Sequence, residues 1–150
     1  MAEIAFSPTA LPDPEDRPEF YSGILSKRAL AWVVDLIVIT GFTLLAGVLT
    51  LTVAWFFWPL TFIGLGLVYR IGTIAQGSAT WGMRLMGIEL RGHDGRRLDA
   101  IQSALHVGGY YAAMTFVLPQ LASVVAMVAT PRRQGLNDLL LGTAAINSPD

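Results

Sequence analysis

The stretch ALAWVVDLIVITGFTLLAGVLTLTVAWFFWP, residues 29–59, decides how the chain folds. The apolar character continues to Tyr69, and between Ala29 and Tyr69 the only charged residue is Asp35. A helix needs about 20 apolar residues to cross the hydrocarbon core of a bilayer. The run is about twice that length, so it holds two spans. Trp55-Phe56-Phe57-Trp58-Pro59 marks the break between them. Tryptophan and other aromatics favour the membrane–water interface. Proline suits the first turn of a new helix, where its missing N–H costs nothing. The reading is one helix over residues 25–51, a second over residues 58–74, and an uncharged turn joining them as an antiparallel hairpin.

Composition agrees. The 150 residues are 53% hydrophobic and 14% charged, with a mean hydropathy of +0.54. A soluble domain carries about 25% charged residues, so this balance points to a lipid-embedded protein of one domain. The net charge of -1 averages two unlike regions. Acid gathers early, at Glu3, Asp13, Glu15, Asp16 and Glu19, among Pro8, Pro12, Pro14 and Pro18. Prolines and mutually repelling acids at this density predict a disordered tail over residues 1–20. There are no cysteines, which excludes disulfides and thiolate chemistry. His93 and His106 are too few and too far apart to predict a metal centre. No cofactor is expected. The first apolar run exceeds the roughly 7–15 residues of a signal-peptide core, so it is read as a retained anchor.

Beyond the second span the pattern changes. Ile88-Glu89-Leu90-Arg91 and Arg96-Arg97-Leu98-Asp99 alternate apolar and charged residues around Gly92-His93-Asp94-Gly95. Asp-Gly is a strong turn signal, so residues 77–99 predict a short β-hairpin outside the membrane. Residues 100–130 are again apolar, broken near Pro119. Asp99, Gln102, Ser103, His106 and Tyr110 recur three to four apart and form one polar helix face. The fold class is an all-α integral membrane protein of three to four membrane helices: the hairpin plus a third segment broken near Pro119, with a short cytoplasmic β-hairpin.

Basic residues in short loops mark the cytoplasmic side. Lys27 and Arg28 stand at the start of the first span; Arg70 stands near the end of the second, with Arg84, Arg91, Arg96 and Arg97 before the third apolar region; the turn between the spans has none. The N-terminus and residues 77–99 are therefore read as cytoplasmic. A single crossing by residues 100–130 would leave Arg132 and Arg133 outside. A return at Leu118-Pro119-Gln120 keeps all ten basic residues inside, although a return limb of about 18 Å is short for a span. The charge rule favours the return and an internal C-terminus.

Asp35 is the costly residue. An acid at the centre of a span costs about 2.5–3.5 kcal/mol on insertion scales unless it faces protein or neutralises. Three roles fit it: an ion pair anchoring the bundle, a proton or cation site, or a side chain snorkelling to the interface. Arg28 lies seven residues away on the same helix face, about 10 Å along the axis, which is long for direct contact. The candidate partners are Arg28, Arg70, Arg84, Arg132 and Arg133. Asp138 sits at the edge of an apolar stretch, read either as a cap or loop salt bridge near the surface or as part of a polar cluster with Arg28 and Asp35.

Arg28-Ala29-Leu30-Ala31-Trp32-Val33-Val34-Asp35 resembles the opening motif of the RDD family, named for one arginine and two aspartates. Gly77-Ser78-Ala79-Thr80-Trp81-Gly82-Met83-Arg84-Leu85-Met86-Gly87-Ile88 is similar to its central segment, and the Asp94-Gly95 turn follows in place. Arg133-Gln134-Gly135-Leu136-Asn137-Asp138, then Gly142-Thr143, resembles its closing motif. The resemblance implies an RDD-like transmembrane domain over residues 21–146, with a short tail at 147–150. It implies Arg28, Asp35 and Asp138 as signature residues; Arg70, Arg84, Arg132, Arg133 and Asn137 are the candidate supporting residues. A histidine is common in the family where this chain has Asn137, so no titratable group stands there.

The expected function is that of an accessory or structural membrane component in a bacterial inner membrane, built around a buried Arg/Asp cluster. Its partners would be the lipid bilayer and a second copy or another membrane protein. Gly41, Gly47, Gly64 and Gly66 would let helices approach closely. The alternative, drawn from the resemblance, is cation/proton transport using Asp35. No Gly-x-Ser-x-Gly, His-Glu-x-x-His or P-loop predicts an enzyme. Arg91, Arg96 and Arg97 suit cytoplasmic topology and anionic headgroups rather than nucleic acid.

Overall fold

A computed structural model describes residues 9–149. α1 runs Ile24–Leu49 and α3 runs Trp58–Gly77, joined through the short α2, Val53–Phe56. Both long helices match the expected spans to within a few residues. Pro59 occupies the first turn of α3, and the turn before it carries no charge. α1 buries Ile24, Ala31, Asp35, Ile39, Thr43 and Gly47, steps of seven and then four that place them on one face. Its other faces show Leu30, Val33, Ile37, Leu44 and Val48 outward. In each of α1 and α3 only 22% of the apolar window is buried within the protein. Water would not tolerate so much apolar surface, whereas lipid solvates it. These two helices are long and apolar enough to cross a membrane.

The third region is α5, Ala100–Thr115, and α6, Val117–Ala129, bent by 119°. The break falls at Phe116, whose extended backbone ends one helix and opens the next. Pro119 is therefore not the breaking residue. It sits in the first turn of α6, where the orphan N–H positions tolerate it. α6 then turns back, and Arg133 Nη1 donates to the Val128 carbonyl at 2.7 Å near its end.

The chain continues through α7, Leu136–Leu141, into a β-strand that corrects the hairpin expectation. β1, Ile88–Arg91, pairs antiparallel with β2, Ala144–Asn147, and not with residues 96–99. The Asp94-Gly95 turn does form: the Gly92 N–H donates to the Arg96 carbonyl at 2.9 Å, and Gly95 has φ +74°. No second strand follows it, because Asp99 is committed to α5. Its carboxylate accepts from the Gln102 N–H at 2.8 Å, and the Gln102 side chain accepts the Asp99 N–H in return. Leu98 drops into the core instead.

A two-stranded sheet is marginal alone and needs cover. One face packs Ile88, Leu90 and Ala145 against Ile24, Ala31, Ile74, Leu98 and Val107. The other face packs Ala144 and Ile146 against Leu11 and Tyr21. Residues 1–8 of the expected tail lie outside the described residues, but residues 9–20 are not a detached tail. They end in a 3-10 turn, Pro18–Tyr21, the Ala10 N–H donates to the His93 carbonyl at 2.8 Å, and Tyr21 Oη donates to the Pro12 carbonyl at 2.9 Å. Asn147, at the start of the expected C-terminal tail, belongs to β2 and takes a 2.5 Å bond from Lys27 Nζ. Both ends of the described chain thus meet at the end of the bundle where α1 starts and α3 stops.

Leu11→Ala should lower the stability of the purified protein by about 2 kcal/mol, read as a drop in Tm in detergent. An unchanged Tm would mean that residues 9–20 contribute nothing to the sheet.

Candidate functional site

Asp35 lies on the inward stripe of α1 and is 1% exposed. Its Oδ1 accepts from Tyr69 Oη at 2.7 Å and from the Gly82 N–H at 3.0 Å. Its Oδ2 accepts from Thr80 Oγ1 at 2.8 Å and from Arg70 Nη1 at 3.1 Å. A carboxylate has about four lone-pair positions, so this one is saturated. The donors come from α3 and from the start of α4, Trp81–Leu85. Thr80 caps α4: its hydroxyl oxygen accepts the Met83 N–H at 3.2 Å while its proton goes to Asp35. Tyr69 Oη likewise accepts the Trp81 N–H at 3.1 Å. The Arg70 guanidinium also rests on the Tyr110 ring, 5.0 Å from its centre, which brings in α5.

Gly82 is glycine for reasons of space. A Cβ there would lie 2.2 Å from the Ala31 carbonyl oxygen and 2.8 Å from Asp35 Oδ1. Only a bare Cα lets α4 reach α1 closely enough for its backbone N–H to meet the carboxylate.

Asp138 is fully buried, not a surface residue. It stands at the third position of α7, and its Oδ2 reaches back to the Gly135 N–H at 3.1 Å. The same oxygen accepts from Arg28 Nη1 at 2.7 Å, while Oδ1 accepts from Thr143 Oγ1 at 3.0 Å. His106 Nδ1 is 3.7 Å from Oδ1, beyond hydrogen-bond reach. Asn137 Nδ2 donates to the His106 carbonyl at 2.6 Å and fastens α7 to α5. Burial pushes the Asp138 carboxyl up, but the Arg28 charge, then the nearby His106 and the Gly135 N–H, together pull harder, and its pKa falls below the ordinary value.

The three signature residues therefore do not form one cluster. Arg28 pairs with Asp138, and Asp35 pairs with Arg70. Both pairs line a single cavity of about 500 Å³ between α1, α3, α5, α6 and α7. Of the supporting residues, Arg70 and Asn137 join this arrangement. Arg84 Nη2 instead donates to the Thr73 carbonyl in the last turns of α3 at 3.3 Å, and Arg133 serves the end of α6. Arg132 has a buried Nε with no hydrogen-bond partner among the described residues and contacts neither carboxylate. Tyr69, Thr80, Gly82 and Thr143 were not singled out from the sequence as site residues. Thr80, Gly82 and Thr143 lie inside the quoted motifs, whereas nothing in the sequence marks Tyr69. Among the described residues no three His, Asp or Glu side chains come together as a metal site.

Two outcomes follow. Gly82→Ala should reduce accumulation of folded protein in membranes more than Tyr69→Phe, which removes a donor to Asp35 and the acceptor of the Trp81 N–H, worth about 1.5–3 kcal/mol; accumulation of Gly82→Ala at the unsubstituted level would refute the close approach. Because the Asp138 pKa is depressed on folding, its stabilisation is present above its unfolded value of about 3.9 and is lost as pH falls through the lower folded value. The Tm gap between the protein and Asp138→Asn should thus be constant from pH 7 to pH 5 and narrow below about pH 4.

The model described as the RDD family matches residues 23–142. No curated protein and no solved structure matches the chain. The matched residues hold both spans, both ion pairs and all three signature positions, and the chain belongs to the RDD family of membrane proteins.

Proposed function

We propose that the chain is a non-enzymatic accessory or structural component of a bacterial inner membrane, with its two Arg/Asp pairs serving to hold the fold. The observation that carries this reading is the saturation of Asp35 by four donors. A cation site needs carboxylate oxygens with free lone pairs and room for further ligands. A proton carrier needs a carboxylate that exchanges readily with water. Asp35 offers neither without giving up bonds to Tyr69, Arg70, Thr80 and Gly82. Transport by Asp35 is accordingly the weaker reading. Asp35 and Asp138 take separate arginines, which also argues against an aspartyl catalytic pair.

Charge supports an orientation with the N-terminus, residues 77–99 and the C-terminus in the cytoplasm. Lys27, Arg84, Arg91, Arg96, Arg97, Arg132 and Arg133 belong to the end where the sheet lies, while residues 50–58 carry no charge. The exposed apolar faces of α1, α3, α5 and α6 suit lipid and, over part of their area, a second copy or another membrane protein. Of the four glycines considered for helix approach, Gly47 faces the Trp55 ring and Gly66 faces Tyr111 Oη within this chain. Gly41 and Gly64 meet nothing within 4 Å and are the ones left for a partner helix.

The test is flux through liposomes containing the purified protein, alongside Asp35→Asn. The expected result is no pH-dependent cation flux, and loss of folded Asp35→Asn protein. Leaving Arg70 buried without its carboxylate costs about 3–5 kcal/mol. A flux that Asp35→Asn abolishes while the folded protein still accumulates would establish transport instead.

A further inference from the structure

Beyond the scaffold role lies the cavity that both ion pairs line. Its composition is two-sided. One part is polar, with Arg28, Asp35, Arg70, His106, Asn137 and Asp138. The rest is mostly apolar, with Trp32 from α1, Ala113 from α5, and Val124, Met127 and Val128 from α6, which also contributes Gln120 and Ser123. Pockets for small ligands commonly have volumes of about 300–1,000 Å³ and combine apolar walls with a few polar groups. The volume of about 500 Å³ falls in that range.

Hydrogen-bond accounting says which ligand chemistry fits. The carboxylate acceptors are largely spent: Asp35 takes four bonds, and Asp138 takes three, from Arg28, Gly135 and Thr143. The donors are not. Each guanidinium carries five N–H groups, yet on Arg28 only Nη1 has a hydrogen-bond partner among the described residues, and on Arg70 only Nη1 meets a carboxylate, with the Tyr111 hydroxyl beside the same guanidinium. Arg70 Nε has none, although the side chain is only 10% exposed. A buried donor without a partner is rare in folded proteins and calls for an acceptor. The polar end therefore asks for oxygen acceptors, best an oxyanion, which guanidinium recognises well.

The walls say where such a ligand comes from. Val124 and Val128 are 49% and 59% exposed, and Trp32 is 39% exposed, with its indole N–H donating to Tyr110 Oη at 2.7 Å. These side chains flank the cavity on helices whose outer faces are apolar, so it is reached from lipid. We propose that the cavity holds one membrane amphiphile, its oxyanion head against Arg28 and Arg70 and its acyl chain along the α6 wall.

Native mass spectrometry of the full-length purified protein tests this with three probes: phosphatidylglycerol, oleate, and diacylglycerol as the chain without an oxyanion. One phosphatidylglycerol or oleate per chain should be retained, at least about fivefold above diacylglycerol. Retention of the phospholipid alone assigns the head to a phosphate, and of oleate alone to a carboxylate. Ala113→Phe, which fills the cavity without touching either ion pair, should cut retention about fivefold. Val124→Trp, at a half-exposed position on the α6 wall, should do the same and covers the case in which Ala113→Phe does not fold. Equal retention of diacylglycerol, no retained amphiphile, or retention indifferent to the folded filling variants would overturn the proposal. None of these outcomes depends on whether liposomes show cation flux, so the two readings fail separately.

Discussion

A carboxylate inside a membrane helix has to find its hydrogen-bond donors within the protein, because hydrocarbon supplies none. At Asp35 this requirement draws three parts of the chain together. α3 must face α1 with Tyr69 and Arg70. The Gly77–Gly82 segment must fold back so that Thr80 and the Gly82 amide reach the same carboxylate. Arg70, held there, lies on Tyr110 and so sets α5 against the hairpin. The packing of the helices is largely a consequence of solvating one acid.

Asp138 repeats the logic at the base of the bundle. Its carboxylate closes the first turn of α7, receives Thr143 from the approach to β2, and takes Arg28 from α1. The C-terminal segment is thereby pinned to the start of the first span, which brings β2 beside β1. The sheet then needs cover on both faces. The helices supply one cover, and Leu11 and Tyr21 supply the other. Two short strands that would be marginal alone become buried, with Ile88, Leu90, Ala144 and Ala145 almost fully enclosed.

The two pairs also shape what lies between them. Because each arginine uses one nitrogen on its own carboxylate, guanidinium donors remain at the cavity wall while the carboxylate acceptors are largely used up. The bend at Phe116 folds α6 back and places Val124 and Val128 along that cavity. A polar lining with surplus donors thus sits beside an apolar wall.

The spans were legible because hydrophobic length and an aromatic-proline break are local signals, and α1 and α3 fall where residues 29–69 put them. The polar face Asp99, Gln102, Ser103, His106 and Tyr110 was legible for the same reason, since it needs only helical periodicity. The Asp94-Gly95 turn also formed as its dipeptide predicts. What the sequence could not say was which strand β1 would find. Asp99 is drawn into a helix cap, and β2 arrives from more than fifty residues away. Nor could spacing pair the charges: Arg28 and Asp35 share a helix face, but each meets its counterpart from a distant element. Residues 9–20 pack against the sheet although their composition predicts a tail, because composition measures how costly it is to order a segment, not whether a surface such as the back of the sheet awaits it. The sequence by itself determined the membrane environment, the spans and the residues too polar to face lipid. Tertiary structure alone decided the partners of those residues, because a buried charge takes whichever donors the folded chain brings within hydrogen-bond distance.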